Sequence, residues 1–101
     1  MKSFYRSKSL IYSFMFLEVT QAKYLNGYRI LLAFNDGLTK IVDLQNELNG
    51  KIFEPIKDIQ SFKKFVIKFN TIEWENGADF APEYLYQIGV QKEIAEKEVI
   101  G

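Results

Sequence analysis

Four carboxylates, Glu73, Glu75, Asp79 and Glu83, stand close together in a stretch that holds no lysine or arginine from residue 69 through 91. Converging oxygens of this kind bind Mg²⁺ or Ca²⁺, and a pair of carboxylates can share acid and base work. The spacing favours neither. Glu73 and Glu75 alternate with Ile72 and Trp74, so they share one strand face opposite the tryptophan. No EF-hand-like spacing is present. The segment also carries Asn76-Gly77, a pair suited to the special backbone geometry of a tight turn. Asp79 lies just before Pro82 and is expected to accept backbone N–H bonds from the turn and the helix start. Trp74, the one tryptophan, is expected in the core. Leu85 is expected to be buried, with at least one of Tyr84 and Tyr86 against the sheet edge.

Two absent residue types narrow the remaining chemistry. The chain has no cysteine and no histidine. Disulfides, thiolate metal sites, cysteine nucleophiles and the commonest general base are thereby removed. Carboxylate, lysine and tyrosine chemistry remains, so a carboxylate-dependent enzyme stays as the last of three functional readings. No catalytic residue, cofactor or metal site is assigned. Lys57, Lys63, Lys64 and Lys68 form a basic stretch diluted by Asp58, without arginine or clear base-stacking aromatics. A solvated helix face is expected there, and direct nucleic-acid binding is not. The formal net charge of zero supplies no overall field for nucleic acid or an anionic membrane.

The elements that position these residues are legible from turn chemistry and alternation. Asn35-Asp36-Gly37 separates two apolar runs and signals a hairpin. Before it, Tyr28, Ile30, Leu32 and Phe34 share one strand face. Leu31 and Ala33 make the other face partly apolar, which points to a central strand. Residues 16–25 supply the preceding strand, with Asn26-Gly27 as its turn, and Leu38–Asp43 the following one. Asp43 is expected to cap a short helix over Leu44–Leu48, and Pro55 to stop any helix. Asp58 is expected to cap a second helix through Ile59, Phe62 and Lys63. Phe65, Ile67 and Phe69 alternate with Val66 and Lys68 as a fourth strand, Asn70-Thr71 turns the chain, and Ile72–Glu75 forms a fifth. Pro82 opens a final helix, Glu83 favours its positive end, and Gly89 closes it. The expected fold is α+β: an antiparallel β-meander plus a second hairpin with two or three short helices, in a single domain over residues 17–89.

Residues 1–16 are expected to be an N-terminal extension or an extra strand. Met15 as the natural start is a second reading. The apolar run Leu10–Leu17 is too short to span a bilayer and lacks a convincing cleavage site, so no signal peptide is expected. Residues 90–101 are expected to form a charged C-terminal tail.

A family resemblance rests on Tyr28-Arg29-Ile30-Leu31-Leu32-Ala33-Phe34-Asn35-Asp36-Gly37, then Val42-Asp43-Leu44, then Ile56, Asp58 and Phe62. Its most specific part is Ile72-x-Trp74-x-Asn76-Gly77-Ala78-Asp79-x-x-Pro82-Glu83-x-Leu85-Tyr86. Over about residues 17–88 the chain resembles a small bacterial family catalogued as domain of unknown function 2442. The resemblance implies an α+β fold, sometimes joined to a helix-turn-helix DNA-binding domain for which this chain has no room. It also implies a genomic setting similar to toxin–antitoxin pairs. It brings no established catalytic residues.

Residues 51–68 are net basic and 73–83 purely acidic, an arrangement that suits steering toward a charged partner. The expected function is a non-enzymatic protein-interaction module in the cytoplasm, the antitoxin-like or regulatory half of a bacterial two-protein system. Its partner would be a small protein encoded by a neighbouring gene, or a second copy in a homodimer, with no membrane involved. The alternative is a nucleic-acid-associated transcriptional regulator acting through a partner. The signature residues for partner binding or structure are Trp74, Asn76, Gly77, Asp79, Pro82, Glu83 and Tyr86.

Overall fold

Strand alternation and turn chemistry build an α+β fold. The computed structural model describes residues 16–91, and the expectations placed on residues 1–15 and 92–101 lie outside the described residues. Strands β1 (Val19–Asn26), β2 (Arg29–Phe34) and β3 (Thr39–Asp43) form the antiparallel meander. β2 is central, as its two-sided apolar character predicts. Ile30, Leu32 and Phe34 are buried, while Leu31 and Ala33 on the opposite face are half-buried. At the Asn35-Asp36-Gly37 turn, the Leu38 amide donates to Asp36 Oδ1 (2.9 Å). Asn35 does more than turn the chain. Its Oδ1 accepts from the Glu18 amide (2.9 Å) and its Nδ2 donates to the Phe16 carbonyl (3.0 Å), fastening the entry to β1.

Between β3 and the second hairpin the structure departs from expectation twice. Leu44–Leu48 is a turn, not a helix: the Gln45 amide donates to Asp43 Oδ1 (3.0 Å) and the Glu47 amide to the Leu44 carbonyl (3.0 Å). The Asp43 side chain here closes a turn on the amide two residues on, which competes with helix formation. Pro55, expected to stop a helix, instead opens one. Two 3-10 turns, Lys51–Phe53 and Pro55–Lys57, carry the chain across, with proline at a first position where its missing N–H is no loss. Asp58 then caps α1 (Ile59–Phe62) as expected, its Oδ2 accepting from the Ser61 amide (3.1 Å).

Strands β4 (Val66–Lys68) and β5 (Thr71–Glu73) form the second hairpin. Lys68 pairs with Thr71, so the loop is Phe69-Asn70, one residue earlier than expected. Both loop residues have positive φ, 54° and 70°, as the favoured twist of a two-residue hairpin requires. Helix α2 (Pro82–Ile88) begins with Pro82 at its first position and carries Glu83 in its first turn. Gly89 does close α2, but in an extended conformation with φ −72°. Its requirement is space: a Cβ there would lie 2.9 Å from Lys40 Cβ and 3.1 Å from the Leu85 carbonyl oxygen. That close approach lets β6 (Val90–Gln91) pair with β3, giving the sheet order β1-β2-β3-β6. The sheet thus takes in two residues that the sequence reading places in the tail.

One hydrophobic cluster draws on every layer. Ile30 and Leu32 of β2, Val42 of β3, Phe62 of α1, Ile72 of β5 and Leu85 of α2 are fully buried within it. Each such side chain contributes about 1.5–3 kcal/mol of burial free energy. Among the described residues no helix is long and apolar enough to cross a membrane.

Candidate interaction surface

The signature segment is built into the core at one end and onto the meander at the other. Trp74 is 2% exposed, ringed by Phe62, Phe80, Phe53 and Phe65 at centroid distances of 5.7, 6.1, 6.2 and 6.3 Å. Its indole N–H donates to the Phe62 carbonyl (2.8 Å), the partner that a buried tryptophan needs. The chain then reverses: the Gly77 amide donates to the Trp74 carbonyl and the Trp74 amide to the Ala78 carbonyl, both at 2.9 Å. Gly77 sits at φ 91°, a region that side chains disfavour. Asn76 Oδ1 accepts from the Ala78 amide (3.1 Å), and its Nδ2 donates to the Ile52 carbonyl (2.8 Å). This one amide side chain closes the turn and ties it to the first 3-10 turn.

Asp79 does not take the role expected of it. It is exposed, and among the described residues its carboxylate accepts no hydrogen bond; its backbone forms an isolated bridge with Glu73. Asn76 has taken the turn amide, and the cap residue of α2 is Ala81, two positions further on and without a side-chain cap bond. Glu75 and Glu83 are exposed as well. Glu75 borders a cleft of about 250 Å³ with Lys64, Ser61 and the edge of Trp74. Among the described residues no group of three or more side chains could hold a metal ion.

Both tyrosines of α2 are engaged. Tyr86 donates to Asp36 Oδ2 (2.6 Å), meets Phe34 edge-on at 5.0 Å and lies under the Lys40 ammonium, 3.6 Å from the ring centroid. Lys40 also donates to the Tyr86 carbonyl (2.7 Å). The bond to Asp36, then burial, then the Asp36 charge push the Tyr86 phenol up to about 12. Tyr84 stacks on Phe80 at 6.2 Å and donates to the Glu47 carboxylate, a bond that raises its pKa.

The surface left unexplained by packing lies on the second hairpin, where sequence reasoning saw only a strand. Val66 is 56% exposed, Ile67 41% and Phe69 80%. Phe69 has a left-handed backbone, a conformation that costs a bulky residue about 1–2 kcal/mol, and its ring recovers almost none of that by burial. Lys68 lies beside it, 5.5 Å from the ring centroid, while Lys63 and Lys64 precede the strand; among the described residues the sole ion pair is Lys57–Glu54, so none of the three is in one. From residue 59 to 72 the sequence contains no acid. That acid-free run, with Lys63-Lys64-Phe65-Val66-Ile67-Lys68-Phe69 at its centre, is the signal that could have marked the exposed hairpin.

No match was found among curated proteins or among solved structures. A family profile matches residues 19–91, nearly the whole described region, and through it the chain belongs to the family described as protein of unknown function (DUF2442).

Proposed function

We propose that this chain is a non-enzymatic protein-interaction module, the antitoxin-like or regulatory half of a bacterial two-protein system. The single observation that supports the reading is Phe69. A large aromatic held in a disfavoured backbone conformation and turned to solvent works against folding. Strain of this kind is retained where another role requires it. Val66 and Ile67, on the two faces of the same strand, are exposed as well, and uncovered large apolar side chains of this kind are a mark of binding surfaces. The test is copurification from the source cells with the chain tagged at its natural level, wild type beside Phe69→Asn. Capture of the neighbouring gene's product by the wild type, and its loss in the variant, is the expected result. Equal capture by both removes the hairpin from the interaction. A nucleic-acid-associated regulator draws on the same three lysines; DNA binding by this chain alone, falling steeply with salt, would favour it.

A further inference from the structure

We infer that Asn49 is a modification site: in the folded chain the Asn49-Gly50 step converts spontaneously to aspartate or isoaspartate at position 49, ahead of the other Asn-Gly steps. The chain has three such steps, Asn26-Gly27, Asn49-Gly50 and Asn76-Gly77. In each, glycine leaves its own amide nitrogen without a side chain in the way. That nitrogen attacks the asparagine Cγ. A bond from nitrogen to Cγ forms, the Cγ–Nδ2 bond breaks, and ammonia leaves with the proton that the amide gives up. Solvent water then opens the cyclic imide at either of its carbonyls. All three steps share this chemistry, so the fold decides which of them proceeds.

Asn76 is blocked at the groups that react. Its Nδ2 donates to the Ile52 carbonyl (2.8 Å), its Oδ1 accepts from the Ala78 amide (3.1 Å), and the attacking Gly77 amide donates to the Trp74 carbonyl (2.9 Å). Asn26 is held by its main chain. It is exposed, but it ends β1 and pairs with Arg29 across the hairpin. Bringing the Gly27 nitrogen onto the Asn26 side chain requires rotating the backbone between them, which breaks that pair. Asn49 has neither restraint. It is exposed and lies outside the helices and strands. Its Nδ2 reaches the Asn46 carbonyl only at 3.4 Å, beyond the usual range of an N–H to oxygen bond. Among the described residues the Gly50 amide donates to nothing and the Asn49 carbonyl accepts nothing. The Asn49 amide donates to the Glu47 carbonyl (3.0 Å) and the Phe53 amide to the Gly50 carbonyl (3.1 Å). These bonds hold the two flanks and leave the peptide unit between them able to turn.

The experiment ages the full chain at mildly alkaline pH, where the attacking amide is more readily deprotonated, and follows each step by peptide mapping with mass spectrometry. Parallel samples are kept folded and in urea. In the folded chain, conversion at Asn49 should run several-fold faster than at Asn26 or Asn76. In urea, Asn26 and Asn76 should gain rate and approach Asn49, since glycine follows each of them. Asn49→Gln must close a larger ring and should remove the main acidic species that ion exchange resolves, with the melting temperature close to that of the wild type. Conversion of Asn26 or Asn76 in the folded chain as fast as that of Asn49 would overturn the inference. So would an Asn49 that stays intact in the folded chain, or acidic species undiminished in Asn49→Gln.

Discussion

Trp74 shows how one side chain serves two physical demands. Its ring fills the space among four aromatics, and its N–H satisfies a main-chain carbonyl inside the core. Trp74→Ala should cost on the order of 3–5 kcal/mol. Trp74→Phe keeps part of the volume but strands the Phe62 carbonyl, at about 1–3 kcal/mol. Urea unfolding of the two variants distinguishes the contributions; an unchanged midpoint for Trp74→Ala would contradict the packing account. Asn76 and Asp79 form a contrasting pair. Asn76→Ala removes two hydrogen bonds and should cost about 1–2 kcal/mol. Asp79→Lys removes an acid set across the ladder from Glu73 and should leave stability unchanged or raise it by about 0.2–1 kcal/mol. A large loss on Asp79→Lys would restore the capping role that the structure assigns to Asn76. Tyr86 gives a pH signature. Its folded pKa is raised above the ordinary 10.0 to about 12 because the neutral phenol donates to Asp36. The stability from that bond is complete below pH 10 and is lost as pH rises from 10.0 toward about 12. Melting temperatures across this window should fall less steeply for Tyr86→Phe than for the wild type.

At the scale of elements, two glycines are required for opposite reasons. Gly77 has open space where a Cβ would go but sits at φ 91°, so Gly77→Ala should cost about 1–2 kcal/mol through the backbone alone. Gly89 has an ordinary φ but touches Lys40 and the Leu85 carbonyl. Gly89→Ala should cost about 1–3 kcal/mol by pushing α2 away from β3. Amide exchange separates the two: Gly89→Ala should expose the Ile41–Val90 pairing, and Gly77→Ala should not. The β4–β5 hairpin presents the reverse case, a turn built from an unsuitable residue. Phe69→Asn places a residue tolerant of positive φ in the loop and should stabilise the fold by about 1 kcal/mol. Thermal unfolding checks this, and a destabilised variant would show that Phe69 makes a contact its exposure does not reveal.

At the scale of the whole molecule, the two charged stretches seen in the sequence serve different ends. The acidic segment 73–83 folds into a turn and helix start whose aromatic residues are largely occupied internally, with its carboxylates left at the surface. The basic stretch runs from α1 into β4 and borders apolar side chains that the core does not take up. Polarity that reads as one feature along the chain becomes a structural unit and an exposed surface in the fold. The molecule's zero net charge therefore does not describe its local charge, which a partner would sense only within a Debye length of about 8–10 Å.

Much of the architecture was legible because it depends on local rules. Alternation in Tyr28–Phe34 marked a central strand, Asp58 and Pro82 marked helix starts, and the lone tryptophan on an alternating strand marked the core. The Leu44–Leu48 turn, the 3-10 turns around Pro55 and the pairing of Val90–Gln91 were not legible, because short segments are settled by what they pack against. The candidate surface was hidden for the same reason. Val66, Ile67 and Phe69 carry the same alternation as a buried strand, and burial is a property of the neighbours that the chain brings together. The sequence alone determined which residues prefer strand, turn or core. Tertiary structure decided which apolar residues found partners, since a finite core covers only those whose elements are oriented toward it.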